Sequence, residues 1–167
     1  MWRLIVLKTT QRKQNYSIIF KRRITMNLKY KLLSNTAKQP TRAHSTDAGI
    51  DLYTDEEYTL SSQEKRVIKT GVAIDIPKGY VGLLTGRSGI SSKTDLVVTL
   101  GIIDAGYHGD IGINVKNDSV YQSYTIKQHM KLAQLLIVPI ATPYLTLVHA
   151  FDEQTERNTK GFGSSGE

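Results

Sequence analysis

Residues 157–166 read Arg157-Asn158-Thr159-Lys160-Gly161-Phe162-Gly163-Ser164-Ser165-Gly166, an arginine, one large ring, two serines and three glycines in ten positions. Glycine keeps the most backbone freedom, so such a segment has no fixed shape of its own. It has the makings of a flap. The ring of Phe162 can stack on a planar group, Ser164, Ser165 and the bare N–H of Gly163 can bond phosphate oxygens, and Arg157 brings a forked cation. A frayed Gly/Ser end is the plain alternative. Gly86-Arg87-Ser88-Gly89 is a second anion-binding candidate, because a helix opening there would present free N–H groups, a hydroxyl, a cation and a glycine that admits a phosphate. Its plain alternative is a turn capped by serine.

Three polar residues inside apolar runs join this set. Asp104 follows Ile102 and Ile103 at the head of a bend containing Gly106, Gly109 and Gly112, in what reads as a glycine-rich hairpin. Packing of the isoleucines would hold the carboxylate toward a pocket; otherwise it caps a turn. Tyr107 is a platform for a sugar or base, or an edge-strand aromatic. Asp51 stands between Ile50 and Leu52, so strand alternation turns it away from their side of the sheet, toward a site or toward solvent. Gln134 is the one amide in Leu132-Ala133-Gln134-Leu135-Leu136-Ile137. A buried amide needs partners, which backbone or a ligand can supply.

The elements that must position these groups are short strands. Runs at 49–53, 66–69, 72–76, 80–85, 96–99, 102–103, 111–117, 121–126, 132–140 and 144–148 are rich in Val, Ile, Thr and Tyr. Pro77-Lys78-Gly79 marks a tight turn. No long window has helical periodicity, and the one helix expected is a turn or two from Ser88, which can cap it. Short strands at this spacing predict an all-β antiparallel barrel or jelly roll.

At 167 residues the chain fits one domain with a real core. Having no cysteine, it has neither disulfides nor a thiolate zinc site, and its four histidines lack metal-ligand spacing. The net charge of +7 is confined to the first 25 residues, where Arg3, Lys8, Arg12, Lys13, Lys21, Arg22 and Arg23 meet no acid. Setting those seven aside leaves 15 of the 22 basic residues against 15 acidic ones. A neutral body argues against a nucleic-acid footprint. The apolar run at 2–7 is too short to span a membrane. Residues 1–25 are therefore expected to be a basic extension outside the fold, residues 26–150 a β domain, and residues 151–167 a flexible flap. Met26 is a plausible start of the domain, and a transit-like role of the extension stays open.

Five segments carry a family resemblance: AGIDL at 48–52, GRSG at 86–89, GIIDAGYHG at 101–109, AQL at 133–135 and the tail RNTKGFGSSG at 157–166. In this order and at these spacings they resemble the trimeric dUTP pyrophosphatases, or dUTPases, whose motifs run AGxDL, GRSG, GxIDxxYxG, AQL and RGxGGFGS[ST]G. The resemblance spans about residues 28–167.

What it implies is a distorted jelly roll of the dUTPase type, a homotrimer with shared active sites, and hydrolysis of dUTP to dUMP and pyrophosphate with Mg2+. In each site the hairpin would come from one chain, the phosphate motifs from a second and the tail from the third. Asp104 would orient and deprotonate the attacking water, a role that depends on geometry because carboxylates are ionised at neutral pH. Gly101, Ile102 and Gly112 would line the uracil edge, and Tyr107 would pack under the deoxyribose and exclude a 2′-hydroxyl. Arg87, Ser88, Gly89 and Gln134 would hold phosphates, and Asp51 would bond waters on a magnesium ion held mainly by the triphosphate. Phe162 would close over the uracil, Gly163, Ser164 and Ser165 would grip the γ-phosphate, and Arg157 would neutralise transition-state charge. A cytoplasmic location is expected, that of the host cell for a viral protein, with no membrane or nucleic-acid partner.

Some positions depart from the family. Asn158 and Lys160 replace tail glycines, His129-Met130-Lys131 stands where Gly-Asp-Arg is usual, and Gly106 replaces a common acid. None removes a group assigned to the chemistry, so an active enzyme is expected. The nearest rival is a dCTP deaminase on the same fold, which wants a glutamate that the hairpin lacks; another is a non-catalytic binding module.

Overall fold

The computed structural model describes residues 26–151. The basic extension and the tail from residue 152 onward lie outside the described residues. Eleven strands and one short helix follow in order: β1 Lys29–Leu32, β2 Ile50–Tyr53, β3 Tyr58–Leu60, β4 Lys65–Ile68, β5 Val72–Asp75, β6 Tyr80–Gly86, α1 Ser88–Ser91, β7 Leu96–Val98, β8 Gly101–Ile103, β9 Ile113–Asn117, β10 Tyr124–Ile126 and β11 Lys131–Pro139. They form a four-stranded sheet β2-β11-β6-β8, a three-stranded sheet β4-β9-β7, and two ribbons, β1-β5 and β10-β3. Every pairing is antiparallel. This is the distorted jelly roll expected from the sequence.

Alternation explains why the layers close. In β9, Ile113, Val115 and Asn117 are buried while Asn114 and Lys116, on the opposite face, are half-buried. The inward side chains meet Leu52, Ile68, Leu84 and Leu135 in one core, each such burial worth about 1.5–3 kcal/mol. Gly82 lies in the middle of β6, and a Cβ there would meet Ile76 Cδ1 at 2.7 Å. Sheet and core approach closely at that point, which only glycine permits. Buried Asn117 ties the edges together, its amide donating to the carbonyls of Ser61 at 3.1 Å and Gln122 at 2.7 Å.

Several local expectations change. Residues 144–148 form no strand: none of the described residues pairs with them, and Tyr144 is fully exposed. A strand at Tyr58–Leu60 was not expected, being masked by the flanking acids Asp55, Glu56 and Glu57. The glycine-rich bend is not a paired hairpin, because β8 bonds to β6 whereas β9 bonds to β4 and β7. The chain crosses there from one sheet to the other. In α1 the N-cap is Arg87 and makes no side-chain cap bond.

Two departures now have a local reason. Gly106 has φ +90° within the turn closed by the Tyr107 N–H on the Asp104 carbonyl at 3.2 Å, a position that suits glycine better than an acid. His129 holds φ +61° where the family has glycine, and its Nε2 lies 2.7 Å from the Thr36 carbonyl. That contact offsets the cost of the left-handed backbone.

The turn before β4 gives a pH signature. Glu64 accepts from the Ser61 N–H at 2.8 Å and the Tyr58 hydroxyl at 2.9 Å. These bonds, the backbone one foremost, hold its carboxyl below the ordinary value of 4.5. A depressed carboxylate stabilises the fold above its unfolded pKa and loses that contribution as pH falls through the folded one. Melting curves of Glu64→Gln should therefore lie below those of the parent at pH 7 and converge with them under acid.

Candidate active site

Strand register gathers one group of predicted site residues at a single end of the four-stranded sheet. Gln134 of β11 stands opposite Asp51 of β2 on one side and Thr85 of β6 on the other. The main chain of Asp51 is pinned again by Thr41, whose carbonyl accepts its N–H at 2.7 Å. All four residues of β2 are buried, so the reading of Asp51 as an exposed strand residue does not hold. Its side chain is 8% exposed, and the carboxylate carries two cations: Arg87 Nε lies 2.8 Å from Oδ1 and Lys131 Nζ 2.9 Å from Oδ2.

The Arg87 bond uses only Nε, and the two terminal amino groups of a guanidinium remain for a ligand. Ser88 and Gly89 follow at an exposed corner, and a Cβ on Gly89 would meet nothing within 4 Å. Gln134 donates from Nε2 to the Gly86 carbonyl at 3.1 Å, while its Oε1 sits where a Cβ on Gly49 would fall. The glycine of AGIDL is thus required by the glutamine of AQL, eighty-odd residues away. The half-buried amide is met by backbone and still borders Arg87.

Sequence reasoning missed Lys131 as part of this group. A β-bulge between Lys131 and Ala133 explains why. Three residues apart on a regular strand, Lys131 and Gln134 would face opposite sides. The extra residue at Leu132 restores them to one face, with Asp51 and Tyr53 across from them. Lys131 also lies 5.7 Å from the centre of the Tyr53 ring, over which Lys38 sits at 4.5 Å. The hydrogen bond to Asp51 raises the Lys131 pKa above its ordinary 10.5, so the cation is lost only in strong alkali. Replacing Lys131 with Met should lower stability, because the Asp51 carboxylate loses one of its two cations. Thermal melts would register this as a lower melting temperature.

The second group forms at the bend. Ile102, Asp104, Tyr107 and Gly112 line a shallow depression with Val67, Ile103, Asp110 and Ile111, and Gly101 opens β8 beneath it. Asp104 is exposed. A Cβ at Gly112 would meet Val67 Cγ1 at 2.5 Å, so the backbone there is bared against the wall. Arg157, Phe162, Gly163, Ser164 and Ser165 lie outside the described residues.

The two groups do not meet within one chain. Ile103 is paired with Gly82, which places Asp104 level with Val81, six residues along β6 from Arg87. At the rise of a strand this is about 20 Å. One end of the sheet carries the anion-binding cations and the other the carboxylate.

Magnesium fits this chain only in a restricted way. Among the described residues no three His, Cys, Asp or Glu side chains cluster as a metal cage. Both oxygens of Asp51 are ion-paired, yet an ionised carboxylate accepts about four hydrogen bonds, which leaves room for metal-bound water. The donor set suits an ion that keeps much of its hydration and takes its other oxygens from a polyphosphate.

The geometry is that of a polyphosphate-binding β-protein, and comparison with known proteins defines the family. The dUTPase family model matches residues 35–166. The deoxyuridine 5′-triphosphate nucleotidohydrolase of Mycolicibacterium gilvum (strain PYR-GCK) is 41% identical over 133 residues, 76% of this chain and 86% of that protein. The human mitochondrial enzyme of the same name is 38% identical over 141 residues, 84% of this chain and 55% of that protein. Among solved structures, the G164S mutant of the Staphylococcus bacteriophage 80alpha dUTPase with dUpNHpp superposes with a TM-score of 0.81 at 48% identity, covering 86% of this chain and all of that one. The dUTPase of S. aureus phage phi11, in a variant solved for the coordination of a structural Mg(II) ion, gives 0.74 at 47% identity over 77% of this chain and all of that one. The chain belongs to the dUTPase family.

Proposed function

We propose that the chain hydrolyses dUTP to dUMP and pyrophosphate. The observation that carries this is the pairing of an anion-binding corner at Arg87, Ser88 and Gln134 with a bend bearing Asp104, Tyr107 and Gly112, in a chain that matches the dUTPase family along residues 35–166. Water held by Asp104 attacks the α-phosphorus as its proton passes to the carboxylate. The bond from that phosphorus to the α,β-bridging oxygen breaks, and pyrophosphate leaves. Gly101, Ile102 and Gly112 line the base, and Tyr107 lies under the sugar. Arg87, Ser88, Gly89 and Gln134 hold the phosphates. Asp51 would hold a magnesium ion through water, and the ion would supply charge neutralisation on the triphosphate oxygens. Arg157, Phe162, Gly163, Ser164 and Ser165 complete the site from the tail.

The reading includes a homotrimer with shared sites. The separation of about 20 Å between Asp104 and Arg87 supports it, since strand rise keeps one chain from joining them. Residues 140–151 support it too. They leave β11 at the Asp104 end and expose Tyr144, Leu145, Leu147 and Phe151 almost entirely, apolar surface that a neighbouring copy would cover.

The deciding assay is pyrophosphate release from dUTP with magnesium, with dTTP, UTP and dCTP in parallel. Release from dUTP alone is expected. Ammonia release from dCTP, or no turnover by folded protein, would overturn the reading.

A further inference from the structure

Thr70 is completely buried and has no part in the chemistry described above, yet it holds the bend. Its N–H donates to Asp110 Oδ1 at 3.3 Å. Its hydroxyl donates to the Ile111 carbonyl at 2.8 Å, lies 3.2 Å from Asp110 Oδ1, and accepts from the Val72 N–H at 3.2 Å. Ile111 in turn donates to the Val72 carbonyl at 2.9 Å. The turn between β4 and β5 thus fixes residues 110 and 111 from outside the bend.

Asp110 passes this restraint to Tyr107, whose hydroxyl donates to the Asp110 carbonyl at 3.0 Å. The hydroxyl end of the ring packs against Gly109, where a Cβ would come within 2.5 Å of the phenolic oxygen. The tilt of the ring therefore has two determinants: the bare backbone against it and the carbonyl at its tip.

We propose that Thr70 and Asp110 are positioning residues that set the selection of deoxyribose over ribose, acting through the Tyr107 ring. The proposal rests on the dUTPase reading and on Tyr107 as the sugar platform. A ring held at both ends cannot retreat from a 2′-hydroxyl. A ring released at its tip can. Ribonucleotide then gains ground on deoxyribonucleotide even where the fold persists.

The test is the ratio of kcat/KM for dUTP to that for UTP, measured beside melting curves. Thr70→Val keeps the shape and removes the hydroxyl; Asp110→Ala removes the carboxylate that Thr70 bonds while keeping the main-chain carbonyl that Tyr107 bonds. Each should lower the ratio about three- to tenfold, the span of one lost hydrogen bond. Thr70→Ser and Asp110→Asn retain an oxygen and should restore most of it. His108→Gln is the comparator, since His108 sits on the same tip but faces Asp75 at 3.2 Å. A lower melting temperature with both substrates losing equally, or an equal change in His108→Gln, overturns the proposal and leaves the functional reading intact. A parent protein that does not turn over dUTP overturns both.

Discussion

Asp104→Asn should abolish most turnover while leaving dUTP binding nearly unchanged. The amide has the shape of the carboxylate and can still bond a water, but it cannot take the proton as the water attacks. General-base removal typically costs about 10²–10⁴ in rate. The structure favours a clean result. The turn at Asp104 is closed by its main-chain carbonyl, which accepts the Tyr107 N–H at 3.2 Å, and the exposed side chain makes no hydrogen bond among the described residues. The measurements are kcat by pyrophosphate release and Kd by calorimetry with a non-hydrolysable dUTP analogue. A weakened Kd with unchanged kcat would assign Asp104 to the architecture instead.

Two inactive variants should rescue each other. Asp104→Asn spoils the bend, and Arg87→Ala spoils the phosphate corner. If each site takes these parts from different chains, co-expressed variants assemble some sites with both parts intact, about a quarter of them on random mixing. Separate affinity tags on the two variants allow mixed oligomers to be isolated and assayed. Homogeneous variants should stay near zero. No recovery in verified mixed oligomers would place both parts in a single chain's site, against the spacing along β6. Arg87 carries a further consequence: its loss leaves the buried Asp51 carboxylate with Lys131 alone. The Arg87→Ala chains should therefore be less stable as well as inactive, whereas Asp104→Asn chains should melt like the parent.

Much of this protein was legible in its residues. Alternating Val, Ile, Thr and Tyr located nine of the strands approximately, because a half-buried pleated surface selects those side chains locally. The turn at Pro77-Lys78-Gly79 was equally local, with Gly79 at φ +82° and Tyr80 N–H on the Pro77 carbonyl at 3.2 Å. The five motifs named the family. Where the reading failed, the cause lay in a partner distant in sequence. The run at 144–148 has strand composition but no partner strand among the described residues. The bend after β8 has hairpin composition, yet its flanking strands find partners in different sheets.

The sequence by itself determined which groups can do chemistry here, since residue type and spacing settle what can donate, accept or carry charge. Tertiary structure alone decided how they are aimed. Asp51 and Lys131 meet only because β2 and β11 pair, and they share a face only because a bulge at Leu132 shifts the strand by one residue. Thr70 reaches Asp110 and Ile111 across forty residues of chain. Strand alternation is a local rule with a period of two. A single extra residue reverses it, and the register that tolerates that residue is set by the core packed beneath both strands.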